Sequence, residues 1–198
     1  MHRRPVARPR KNHISILDPS SNRADEGGVR DSKRTTTAAP AREDVGTVRA
    51  SIQQNKPFRS DAQEALLTLL MTTEKLHWPY EELFAEHDLT AQQFNVLRIL
   101  RGAGKEGLPT LDVAARMVQR TPGITRLIDR LEKKGLVTRE RAPEDRRQVW
   151  CYLSREGASL LRRLDAPVAD LDERSLHPLG GEEVRRLIRL LDKVRTAT

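Results

Sequence analysis

One cysteine, Cys151, stands in 198 residues, so no internal disulfide can form and a reducing interior is the expected compartment. No apolar run approaches the roughly 20 residues that a membrane helix needs. The basic N-terminus has no apolar core behind it, so no secretory signal is expected. Acids at Asp18, Asp25, Glu26 and Asp31 argue against an Arg-rich transit peptide. Aromatic residues make up 4% and apolar residues 37%, too few for a chain folded along its whole length. Catalytic groupings are missing as well, with no nucleophile–base pair and no metal set, and neither an enzyme nor a cofactor is expected. Gly104-Lys105 has the ending of a phosphate loop, but Ile99 and Glu106 stand where that loop needs Gly and Ser or Thr.

Charge is what the chain has in excess. The formal net is +8 and the pI about 10.1, which favours a polyanionic partner, nucleic acid before an acidic membrane. Its distribution is uneven. Residues 1–60 hold 13 basic and 6 acidic groups, so the pI mostly reports this segment. Residues 98–147 hold 13 basic against 7 acidic groups, and the rest of 61–198 is correspondingly acidic. Residues 1–60 also carry Pro5, Pro9, Pro19, Pro40, Pro57 and Gly27-Gly28 without periodicity, and read as a disordered basic tail. Its arginines could add nonspecific phosphate contacts, against the plainer reading of a solvated tail.

From Asp61 the apolar residues recur at helical spacing through Phe84. Pro79 should kink or split this first helix near His77-Trp78. Thr90-Ala91-Gln92-Gln93 has the form of a capping box and opens a second helix faced by Phe94, Leu97 and Leu100, which Gly102 and Gly104 end. Thr110 is expected to cap a third helix that packs through Leu111, Ala114, Ala115 and Val118. After a turn at Val118-Gln119-Arg120, Thr121 should cap a fourth helix with Pro122 at its first position and Ile124, Leu127, Ile128 and Leu131 buried. Gly135 ends it. Strands follow at Leu136–Arg141 and Gln148–Leu153, joined by the polar loop 142–147. Ser154 caps a fifth helix that Pro167 should kink, and a last helix carries Val184, Leu187, Ile188 and Leu191 on one face. The first helix and the last two hold more apolar surface than one copy needs, which implies a homodimer.

That order is a mainly α fold with a small β-wing, a winged helix-turn-helix with N- and C-terminal dimerisation helices. The shape suits double-stranded DNA. Arg120, Thr121, Pro122, Gly123, Thr125, Arg126 and Arg130 lie at the start or off the buried stripe of the fourth helix. Arg there can reach guanine O6 and N7, and a Thr methyl can pack on thymine. Arg146 and Arg147 lie near the wing tip, where a guanidinium can enter a narrow minor groove, and Asp145 can orient one of them. Cys151 could be a redox sensor, but its strand position favours a buried structural thiol. His77, Trp78 and Tyr80 lie by the expected kink, where a pocket could hold an aromatic or amphipathic ligand, against the plainer reading of core aromatics and surface histidines. Metal binding by His77, His87 and Asp88 has no recognised spacing.

These residues resemble the MarR (multiple-antibiotic-resistance regulator) family over about 61–198. The specific parts are Thr125-Arg126-Leu127-Ile128-Asp129-Arg130-Leu131-Glu132, Lys134-Gly135-Leu136-Val137-Thr138-Arg139, Asp145-Arg146-Arg147 and the Ser154…Gly157 opening of the next helix. The resemblance implies a winged-helix dimer paired through 61–89 and 154–198, with 90–153 as the DNA-binding lobe. It implies a cytoplasmic repressor on inverted repeats, released by a small phenolic or lipophilic effector. Asp145 and Arg147 match the family's Asp-x-Arg wing pair, which makes Arg147 the better minor-groove candidate. The chain lacks the first-helix cysteine of peroxide-sensing members, and its 60-residue lead-in has no family counterpart. A winged-helix module that binds protein is the competing class, and the basic fourth helix argues against it.

Overall fold

The computed structural model describes residues 48–119, 121–141 and 148–197. Arg120, Asp145, Arg146 and Arg147 lie outside the described residues, as does 1–47 of the expected tail.

Within 48–60, where no structure is expected from sequence, a helical turn forms at α1 (Val48–Ser51). The Arg49 guanidinium closes it, donating to the carbonyls of Gln54 and Asn55, both at 3.2 Å. This turn packs on α2 (Asp61–Ala85), whose N-cap is Ser60, its hydroxyl accepting from Gln63 N–H. The helix is not split at Pro79. Proline removes one backbone bond there, and the turns beyond it are anchored. Tyr80 donates to Asp172, far along the chain, at 2.6 Å, and the buried Phe84 ring stacks on Phe94 at 4.3 Å.

Helix α3 (Ala91–Ala103) carries the full capping box, with Thr90 Oγ1 accepting from Gln93 N–H and Gln93 Oε1 accepting from Thr90 N–H. This second bond satisfies the carbonyl of a buried glutamine. Val96, Leu97 and Leu100 are fully buried, and Gly104 ends the helix at positive φ.

The third helix departs from expectation. Helix α4 (Thr110–Ala115) has Pro109 in the cap position, and the Thr110 hydroxyl is turned away to donate to the Val149 carbonyl at 3.1 Å. A short strand, β1 (Leu108–Pro109), places it there. Only Val113 is buried, while Leu111 is 79% and Val118 86% exposed. The pairing of β1 with the strand Val149–Leu153 sets the rotation of α4, so its inward residue is not the one its apolar pattern suggests.

Helix α5 (Ile124–Lys133) begins later than the Thr-Pro pair suggests. Gly123, at φ 86° and ψ 37°, is left-handed and cannot belong to the first turn. Thr121 Oγ1 donates to the Gln119 carbonyl rather than capping, and Pro122 lies in the turn instead of at the first helical position. The expected stripe is otherwise in place, with Leu127, Ile128 and Leu131 buried and Ile124 half-buried.

Strands β2 (Val137–Arg141) and β3 (Val149–Leu153) are antiparallel, and β1 pairs on the other edge, giving the order β1-β3-β2. Helix α6 (Arg155–Leu176) runs unbroken through Pro167. Its start is locked to the end of α5. Ser154 N–H donates to the Leu136 carbonyl, its hydroxyl donates to the Gly135 carbonyl, and the same hydroxyl accepts from Gly157 N–H. A side chain at Gly157 would collide with the Leu136 carbonyl oxygen, which explains a glycine in the first turn of this helix. The core lies between α3, α5, the sheet and the first half of α6. Helix α7 (Gly181–Thr196) is capped by Glu183, which accepts from Gly180 N–H, and buries no residue.

Candidate nucleic-acid interface

The buried stripe of α5 decides what its other side presents. Thr125, Arg126 and Arg130 are exposed, together with Pro122 and Gly123 just before the helix. Thr121 is half-buried beside them. Arg126 and Arg130 have no ion-pair partner among the described residues. They line, with Gln92, Thr121, Pro122, Gly123 and Leu127, a cavity of about 420 Å³ at the start of α5. Gln92 was not expected here. The capping box that starts α3 places it there.

The helix also carries two carboxylates, and both are engaged. Arg139 Nη1 lies 2.6 Å from Asp129 Oδ1, Arg139 Nε donates to Glu132 Oε2 at 3.0 Å, and Nη2 also meets Glu132 Oε2. The Glu132 bond raises the Arg139 pKa further above its ordinary value, against the opposing effect of burial. Arg139 sits two residues after the buried Val137 on β2, hence on the inward face of the wing. The alternation Val137-Thr138-Arg139 was the available signal. A cation at an inward strand position requires carboxylate partners.

The far end of α5 is tied down too. Lys134 Nζ lies 2.9 Å from Asp88 Oδ2 and also contacts the Asp88 carbonyl. Around this contact lies a second cavity of about 520 Å³, lined by Ala85, Asp88, Leu89, Thr90, Gln93, Arg130, Lys133 and Lys134.

The candidate ligand residues do not converge. His77 faces Glu81 at 3.0 Å, Trp78 Nε1 donates to Glu82, and Tyr80 turns to Asp172. None of the three lines either cavity. Burial, with the Asp172 bond, raises the Tyr80 pKa. Cys151 is fully buried, 3.5 Å from Thr110 Oγ1. Burial raises its thiol pKa above the ordinary value, the opposite of what a reactive thiolate needs. Among the described residues no group of three His, Cys, Asp or Glu could hold a metal ion, and no helix is long and apolar enough to cross a membrane.

Known proteins share this arrangement. The MarR family model matches residues 87–148, which run from the end of α2 through the wing loop. The transcriptional regulator HosA of Escherichia coli O111:H- is 31% identical over 126 residues, 59% of this chain and 91% of that protein. A MarR transcription factor from Planctomyces limnophilus has a crystal structure 45% identical in sequence, with a TM-score of 0.55 over 69% of this chain and 98% of that one. A mutant of E. coli MarR crystallised with operator DNA is 31% identical, with a TM-score of 0.58 over 64% of this chain and 90% of that one. The winged helix built from α3 to β3, and relatives matched over nine-tenths of their length, place this chain in the MarR family of transcriptional regulators.

Proposed function

We propose that the protein is a sequence-specific regulator of transcription that binds double-stranded DNA as a homodimer, acting as a ligand-responsive repressor on an inverted repeat. The observation that carries this reading is α5. Its apolar side is buried in the lobe, its two carboxylates are both engaged by Arg139, and its outward side offers Thr125, Arg126 and Arg130 beside the open turn Thr121-Pro122-Gly123. Such a surface fits the major groove, with Arg126 reaching bases and Arg130 nearer the phosphates. Arg120 before the helix belongs to the same set. To Arg147, with Asp145 and Arg146 before it in sequence, we assign the minor groove beside it. The operator complex of the E. coli relative supports the same use of the fold.

The second copy covers the apolar faces of α2 and α7, where Leu66, Leu70, Ile188 and Val194 are exposed. The segment 1–60 acts as a basic lead-in to the regulator domain 61–198, and its end packs through α1 on α2. For the effector we favour the cavity between α2, α3 and α5 over His77, Trp78 and Tyr80. Its Arg130, Lys133 and Lys134 suit a small phenolic or lipophilic acid, and a ligand there would bear on α5 directly. The protein works in the cytoplasm, where its DNA is, and we assign it no enzymatic activity.

Selection of bound fragments from random-sequence DNA tests this reading. The expected product is an inverted repeat whose half-sites lie roughly one helical turn apart. Fragments without a shared sequence would favour a winged helix that binds protein.

A further inference from the structure

Helix α5 presents a conflict that its sequence does not resolve. Arg126 and Asp129 are three residues apart, which sets them about 60° apart around the helix and makes them natural partners. An Arg126 held by Asp129 could not offer its fork to a base. The structure avoids this pairing. Asp129 Oδ1 is taken by Arg139 Nη1 at 2.6 Å, and the same guanidinium reaches Glu132 through Nε at 3.0 Å. Arg139 comes from β2, points inward, and is only 26% exposed at its side chain, against 39% for Asp129 and 38% for Glu132. The planar fork suits the task, because it meets two carboxylates from one position, as an ammonium does less well. Arg126 consequently has no acidic partner among the described residues and stays exposed.

We propose that Arg139 is a positioning residue for DNA recognition, which occupies Asp129 and Glu132 so that Arg126 remains free to read bases. The proposal rests on the assignment of α5 to the major groove. Arg139 itself touches no DNA in this account. Its loss acts through Asp129, which then captures Arg126, and through two carboxylates left within a Debye length of phosphate.

The test uses the full chain and a duplex enriched from a random library by the wild-type protein, with a scrambled duplex as control. Arg139→Met is expected to weaken binding to the enriched duplex about tenfold or more and to narrow its advantage over the scrambled one, since a bidentate base contact is lost. Adding Asp129→Asn and Glu132→Gln to Arg139→Met should restore both affinity and discrimination to within about threefold of wild type. A triple variant as weak as Arg139→Met would overturn the proposal, because a lost DNA contact or a lost structural tie is not recovered by removing acids. Should Arg139→Met not fold, Asp129→Asn with Glu132→Gln on the native Arg139 decides. Affinity within about threefold of wild type supports the masking role, and a tenfold loss overturns it. If the wild type enriches no sequence, the groove assignment of α5 fails and this proposal with it. Enrichment without recovery in the charge variants removes the role of Arg139 alone.

Discussion

Helices α5 and α7 carry the same pattern and meet different fates. Ile124, Leu127, Ile128 and Leu131 recur on α5 as Val184, Leu187, Ile188 and Leu191 do on α7. The α5 stripe is covered by α3, α4 and the sheet, and Ile128 and Leu131 are wholly buried. On α7 no residue is buried, Ile188 is 54% exposed and Leu191 40%. The first helix belongs to a lobe that is complete within one copy. The second belongs to a surface that one copy leaves open, which is why we read the terminal helices as the dimer contact. Amphipathic spacing announces that a helix has a partner, and only packing says whether the partner lies in the same chain.

Substitutions on the two stripes should separate these roles. The largest effect is expected on α5. Ile128→Ala removes a fully buried side chain and should cost about 2–5 kcal/mol of stability, read as a lower thermal midpoint. A change near zero would mean that the lobe core is not where the structure places it. Next in size is the pair Ile188→Asp and Leu191→Asp on α7. It should leave the fold of the lobe intact yet produce a monomer by sedimentation, with loss of inverted-repeat binding, because charge is placed in a face that must be covered. A dimer that survives this change would move the interface elsewhere. The smallest effect is expected at Cys151, which lies in the core of the lobe. Iodoacetamide should label it only as fast as the protein unfolds, since burial keeps the thiol protonated at neutral pH. Rapid labelling of the native protein would reopen a redox role.

The same contrast explains what could be read from sequence. The covered parts of the lobe were legible, because the capping box at Thr90, the stripe on α5 and the inward place of Cys151 on its strand each reflect a local rule that packing obeys. The errors fall where a distant element or a single backbone angle intervenes. Leu111 and Val118 looked like core residues, but the pairing of β1 with β3 turns α4 so that Val113 faces in. Thr121-Pro122 looked like a helix start, and the left-handed Gly123 moved it to Ile124. Arg139 drew no assignment of its own, because its partners Asp129 and Glu132 sit on another element. His77, Trp78 and Tyr80 are adjacent in sequence yet each meets a different neighbour, so closeness along the chain did not make a pocket.

Base reading by the outward face of α5 is the claim on which the rest depends, and one comparison tests it most directly. Fluorescence anisotropy with Arg126→Ala, on the enriched duplex and on a scrambled one, should show a loss of about 1–3 kcal/mol on the first and much less on the second. Arg147→Ala in the wing should weaken both more evenly. Equal losses on both duplexes for Arg126→Ala would contradict the account, since Arg126 would then be holding phosphate and the bases would be read elsewhere.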